Sequence, residues 1–154
     1  VVITGQMWIE AAVDALRDRS SMFEAEGLDV LSISEQLPEQ TSGAFISIAG
    51  GQQSVQLGVL CGPAERQALA QKFLGDDTLL GQDDLADAMR EIANIVAGGL
   101  KSAMLEYDPC LALGLPLFVE GVQPGSATRA HCARVILSDQ ALCLVVIVGT
   151  ANTP

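Results

Sequence analysis

At 154 residues the chain fits one domain, residues 1–154, and is long enough to bury a core without disulfide or metal staples. Eight basic against nineteen acidic residues give a formal net charge of -11, which argues against a nucleic-acid partner, because binding a phosphate backbone needs clustered Lys and Arg. The chain is 49% hydrophobic with a mean hydropathy of +0.36, yet its longest apolar run, "ALCLVVIVG", is strand-length and far short of the roughly 20 residues of a membrane span, so no membrane partner is expected. The opening residues carry no basic, apolar-cored leader, and no secretory signal is expected in them. The four cysteines, Cys61, Cys110, Cys132 and Cys143, form no C-x-x-C pair and no zinc box. Each sits in an apolar neighbourhood, where a reduced Cys behaves as a small hydrophobe, so a reducing, cytoplasmic setting is expected.

In chain order, residues 6–24 place Ile9, Val13, Leu16 and the Met22-Phe23 pair near helical spacing, which predicts a first amphipathic helix. The polar stretch "SEQLPEQTSG" (34–43) reads as a connection. Two runs rich in β-formers, 44–50 and 54–62, flank Gly-Gln-Gln and predict a hairpin. Pro63 at a first helical position and Gly75 as a stop bracket a second helix over 63–75. Residues 76–82 read as a loop, with Asp83 or Asp84 capping a long helix that runs to about Glu106. After the breakers Pro109, Gly114 and Pro116, residues 117–122 predict a strand. Residues 127–138 and 141–149 predict a closing hairpin around Asp139-Gln140. A helix followed by paired strands therefore occurs twice, and the economical architecture is α+β: an antiparallel or mixed sheet with two long helices on one face.

The long helix carries the chemistry. With Asp87 at zero and 100° per residue, Glu91 falls at about 40°, Asn94 at about -20° and Gly98 at about 20°, one polar stripe. Met89, Ile92, Ala93, Val96 and Leu100 centre near roughly 190°, so the core face is complete without the stripe. Asn94 together with Gly98 and Gly99 gives up about 2.5 kcal/mol of helix propensity relative to Ala. A face kept only for stability would use Lys, Gln or Ala instead. Taken alone, D-x-x-x-E-x-x-N also fits an ordinary solvated face, and Gly99 also fits close packing of another element. His131 is the single histidine. Its neighbour Cys132 would point to the opposite side of a strand, so the two make no nucleophile pair.

The stretch "DAMREIANIVAGGLK" resembles the signature helix of the CheC/CheX/FliY group of chemotaxis phosphatases, whose pattern of Asp or Ser, three residues, Glu, two residues, Asn is met by Asp87, Glu91 and Asn94. "MWIEAAVDALRDR" resembles the group's opening helix, "ISIAGGQQSVQLGVLCGPAERQALAQKFLGDD" its hairpin, helix and Gly-Asp loop, and "ARVILSDQALCLVVIVG" its closing hairpin. Two-site members repeat the motif on the first helix; here the matching positions are Gln6, Glu10 and Val13, without the carboxamide. The resemblance is therefore to the single-site CheX-like members, which form homodimers through their sheets.

The resemblance implies a substrate, the phosphoaspartate of a CheY-like receiver domain, and a role for each residue of the stripe. Asn94 would orient the attacking water, and Glu91 would pair with the Lys beside the receiver's phosphorylated Asp. Asp87 would make a peripheral contact, and Gly98 would give clearance to a receiver loop. The chain itself would bind no metal or cofactor, Mg2+ coming with the receiver. The alternative is a non-catalytic module of the same fold that docks a receiver or a flagellar-switch protein.

Overall fold

The computed structural model describes residues 2–38, 41–121 and 130–150. Its helices are α1 (Gly5–Arg17), α2 (Pro63–Leu74) and α3 (Gln82–Met104), and its strands are β1 (Asp29–Ser34), β2 (Ser42–Ala49), β3 (Gln53–Cys61), β4 (Ala112–Leu113), β5 (Leu117–Val119), β6 (Ala130–Leu137) and β7 (Gln140–Thr150). All strand pairings are antiparallel, in the order β1-β6-β7-β3-β2-β4, with β5 also on β2. The fold is α+β, as expected, and its sheet is wholly antiparallel among the described residues.

Alternation along the strands sets the layers. Ala44, Ile46 and Ile48 of β2, Val55, Leu57 and Val59 of β3, and Leu142, Leu144 and Val146 of β7 are buried against the helices. They meet Trp8, Ile9, Ala12 and Leu16 of α1 and Met89, Ile92, Val96 and Leu100 of α3. A smaller cluster, Leu60, Cys132, Cys143 and Val145, occupies the other face of the sheet. His131 packs at the start of α1 against Gly5 while Cys132 belongs to the opposite face, so the two side chains diverge as expected.

The repeat read from the sequence becomes a pseudo-two-fold. The central pair β3-β7 is flanked by β2 and β6, and each half lends a strand to the other half, β1 pairing with β6 and β5 with β2. In this arrangement α1 and α3 are equivalent. α2 lies outside the repeat, and Ala70, Leu80 and Ala88 pack it against the start of α3.

The elements differ from the sequence reading in several places. α1 ends at Arg17, and Met22-Phe23 belong to a separate 3₁₀ turn (Ser20–Phe23) that Glu24 closes at φ 57. β1 was not predicted; all six of its residues are exposed, its register slips between Val30 and Ser32, and only Leu31-Ser32-Ile33-Ser34 alternates. The closing hairpin turns at Ser138-Asp139, both at positive φ (50 and 62), one residue earlier than expected. The predicted strand residues 127–129 and residue 122 lie outside the described residues.

The segment after α3 is tied to the first hairpin by Asp108. Its buried carboxylate accepts the backbone N–H groups of Gly51 (3.3 Å), Gln52 (3.2 Å) and Cys110 (3.1 Å). Desolvation pushes this carboxyl up, but the three N–H donors from Gln52, Cys110 and Gly51 together outweigh it and hold the pKa below its ordinary value. A side chain at Gly50 would collide with this carboxylate, which accounts for glycine in that turn.

Candidate functional site on the third helix

The loop before α3 is fixed by side chains of α2. Gln71 donates to the Thr78 carbonyl (2.8 Å), and Gln67 accepts from Leu80 N–H (2.8 Å) and donates to the Leu80 carbonyl (3.2 Å). Within the loop, Thr78 donates its hydroxyl and its N–H to Asp76, which lowers the Asp76 pKa. α3 then starts at Gln82 with Gly81 as its N-cap and no side-chain cap. Asp83 and Asp84, expected as caps, instead occupy the first turn, where their charge complements the positive end of the helix dipole.

Along α3 the burial follows the helical wheel. Ala88, Met89, Ile92, Ala93, Val96, Ala97 and Leu100 are buried, and Asp87, Glu91 and Asn94 are exposed on one stripe. Asp87 is ion-paired with Arg90, their side chains being 69% and 37% exposed. Glu91 and Asn94 make no side-chain hydrogen bond or ion pair among the described residues. Arg90 was not singled out from the sequence, although its i,i+3 spacing from Asp87 is a signal that would have found it.

The paired glycines separate into two explanations. A Cβ at Gly99 would press on the guanidinium of Arg19 (2.5–2.8 Å), which closes over the helix while donating to the Ala15 carbonyl at 3.0 Å. Gly99 thus lies under this chain's own Arg19, whose side-chain end a Cβ would displace. A Cβ at Gly98 would meet nothing within 4 Å among the described residues, so none of them requires glycine there.

The stripe of Asp87, Glu91, Asn94 and Gly98 holds no Ser, Thr, Cys, Lys or His. What Asn94 offers is a carboxamide with both donor and acceptor, free to bind water, and what Glu91 offers is an unpaired carboxylate one turn before it. Among the described residues no group of three His, Cys, Asp or Glu is placed to hold a metal ion. Among the thiols, burial pushes Cys61 up to about 12, and the hydrogen bond with Cys132 together with burial pushes Cys143 well up, so these two stay protonated; Cys132 is lowered by the same hydrogen bond, and Cys110 is exposed. On α1 the equivalent positions are inert. Gln6 donates to Glu10 (2.9 Å), and Val13 is buried in the core where a second carboxamide would stand.

This architecture is shared with solved structures at low sequence identity. A CheC-like superfamily protein from Shewanella sp. PV-4 superposes with a TM-score of 0.76 at 15% identity, over 96% of this chain and 99% of that one. The CheX of a CheX–CheY complex with BeF3 and Mg2+ from Borrelia burgdorferi gives 0.69 at 17% identity, over 92% and 95%. The middle domain of FliM from H. pylori gives 0.66 at 13%, over 92% and 87%. The fold is thus CheC/CheX-like. Residues 42–138 match the family model described as chemotaxis phosphatase CheX, and the chain belongs to that family. No curated protein matches the sequence. No helix among the described residues is long and apolar enough to cross a membrane.

Proposed function

We propose that the protein hydrolyses the phosphoaspartate of a CheY-like receiver domain, with the exposed stripe of α3 entering the receiver's active site. The observation that carries this reading is Asn94: an exposed carboxamide that, like Glu91 beside it, has no side-chain partner among the described residues, on a helix face the core does not use. Membership of a phosphatase family and the fold shared with a CheX that complexes CheY support it.

The chemistry asks little of the enzyme. Water attacks phosphorus, the bond from phosphorus to the aspartyl oxygen breaks, and the electron pair leaves with the carboxylate. The water's two protons end on dihydrogen phosphate, so charge and atoms balance without a protein acid or base. The leaving carboxylate is a stable anion, and the loose transition state rewards positioning. Asn94 holds the water in line; Glu91 pairs with the Lys beside the receiver's phosphorylated Asp; Asp87 lies at the edge of the contact; Gly98 leaves room for the receiver. The Mg2+ is the receiver's own.

Steady-state phosphate release separates these roles. Asn94→Ala lowers kcat by roughly 10²- to 10³-fold, as loss of one positioned hydrogen-bonding group does, while Glu91→Ala raises KM and lowers kcat together. Unchanged turnover by Asn94→Ala at saturating protein would remove the assignment. The second reading, a non-catalytic docking module in a receiver or flagellar-switch assembly, draws on the FliM likeness. It predicts binding without turnover.

We also propose that the protein works in the cytoplasm as a homodimer joined through its sheet. The supporting observation is β1, an edge strand with Val30, Leu31 and Ile33 at 40%, 50% and 46% exposure.

A further inference from the structure

Arg90 stands one turn before Asn94 on the same side of α3. With Asp87 at zero it falls at about -60° against about -20° for Asn94, which puts their Cβ atoms about 6 Å apart. Side chains on a helix lean toward its N-terminus, so the head of Asn94 projects over the turn that holds Glu91 and Arg90, and the head of Arg90 over the turn that holds Asp87. Within four residues of Asn94 on this helix, Arg90 is the sole cation. Around it lie Asp83, Asp84, Asp87 and Glu91, all exposed. A phosphoryl dianion brought to Asn94 would meet a surface that repels it, except at this guanidinium. Arg90 is ion-paired with Asp87, an exposed i,i+3 pair. Such pairs are weak and exchange readily for a stronger partner.

We propose that Arg90 leaves Asp87 when the receiver docks and donates its N–H groups to the phosphoryl oxygens, making it a substrate-contacting residue alongside Asn94. This rests on the reading of α3 as the receiver-facing site. The guanidinium fork matches two phosphoryl oxygens at once, which an ammonium does not. Charge in the loose transition state is spread over the equatorial oxygens, where this contact acts. Arg90 transfers no proton; it recognises the phosphorylated state and stabilises the charge. In the free protein Asp87 holds the guanidinium in place over the stripe.

The test compares wild type with Arg90→Gln, Arg90→Lys and Lys101→Gln. Lys101→Gln removes the same charge from the same side of α3 about two turns beyond Asn94. For each, affinity is measured for a receiver carrying beryllium fluoride in place of the phosphoryl group and for the bare receiver, along with kcat and KM for phosphate release. The expected result is that Arg90→Gln reduces the preference for the charged receiver by about tenfold or more, leaves affinity for the bare receiver near wild type, and lowers kcat. Arg90→Lys recovers part of the preference and Lys101→Gln keeps it. An Arg90→Gln variant with wild-type preference and kcat overturns the proposal while leaving the phosphatase reading intact. Equal losses in Arg90→Gln and Lys101→Gln overturn it too, because they would report net charge alone. A wild-type protein that neither discriminates between the receivers nor turns over would instead remove the phosphatase reading, and this inference with it.

Discussion

Gly98 and Gly99 are adjacent in α3 with opposite surroundings, one open and one under Arg19. Gly98→Ala fills empty space and gains helix propensity, so it should raise unfolding free energy by about 0.5–1 kcal/mol in a urea titration. The same variant should slow receiver dephosphorylation, because the methyl group occupies the clearance left for the partner. Gly99→Ala gains the same propensity but displaces the Arg19 guanidinium from the Ala15 carbonyl, so its stability should fall below that of Gly98→Ala. A Gly98→Ala protein no more stable than Gly99→Ala would mean that the space above Gly98 is not free. At this scale the stripe was legible because 100° arithmetic needs only the sequence, and the buried and exposed residues of α3 fall where that arithmetic puts them. The Arg19 cover on Gly99 was not legible. It depends on where the chain goes after α1 ends at Arg17, which helical spacing does not report.

Among elements, the two hairpins and α2 were readable because each has local punctuation: glycines at Gly50-Gly51, Pro63 at a first helical position, Gly75 at φ 65 as a C-cap. β1 was not, since the bulge between Val30 and Ser32 limits its alternation to the four residues Leu31-Ser32-Ile33-Ser34, and none of its residues is buried. Nor was the start of α3, where the glycine cap places both aspartates inside the helix rather than at its boundary. One element junction that responds to pH is the tie from Asp108 to the β2-β3 turn. Its folded pKa lies below the ordinary 3.8, so the unfolded chain takes up the proton first as pH falls. The contribution is therefore complete above the ordinary carboxylate value and is lost as pH drops through the lowered folded value. Asp108→Asn should lower the urea midpoint at pH 7 and flatten the acid limb of stability against pH. Identical acid limbs for wild type and variant would show that the three N–H bonds do not stabilise the ionised form.

For the whole molecule, the pseudo-two-fold offers two equivalent places for the proposed site, and only α3 carries the full motif. α1 and α3 occupy equivalent places, yet on α1 Glu10 is bonded to Gln6, and Val13 faces the core in the position of Asn94. The same topology leaves β1 at one end of the sheet. If a second copy pairs there, Leu31→Lys should convert a dimer to a monomer in sedimentation velocity with the fold retained, an edge lysine being how sheets block such pairing. A dimer unaffected by this change would place the seam elsewhere. The central claim is that the α3 stripe catalyses rather than merely binds, and turnover tests it most directly. A Mg2+-loaded, acyl-phosphate-charged CheY-like receiver is mixed with substoichiometric protein, and phosphate released per protein molecule is counted, with Asn94→Ala in parallel. The account predicts many phosphates per molecule of wild type and a rate near the receiver's own for Asn94→Ala. Binding of the receiver with no acceleration by wild type would contradict it.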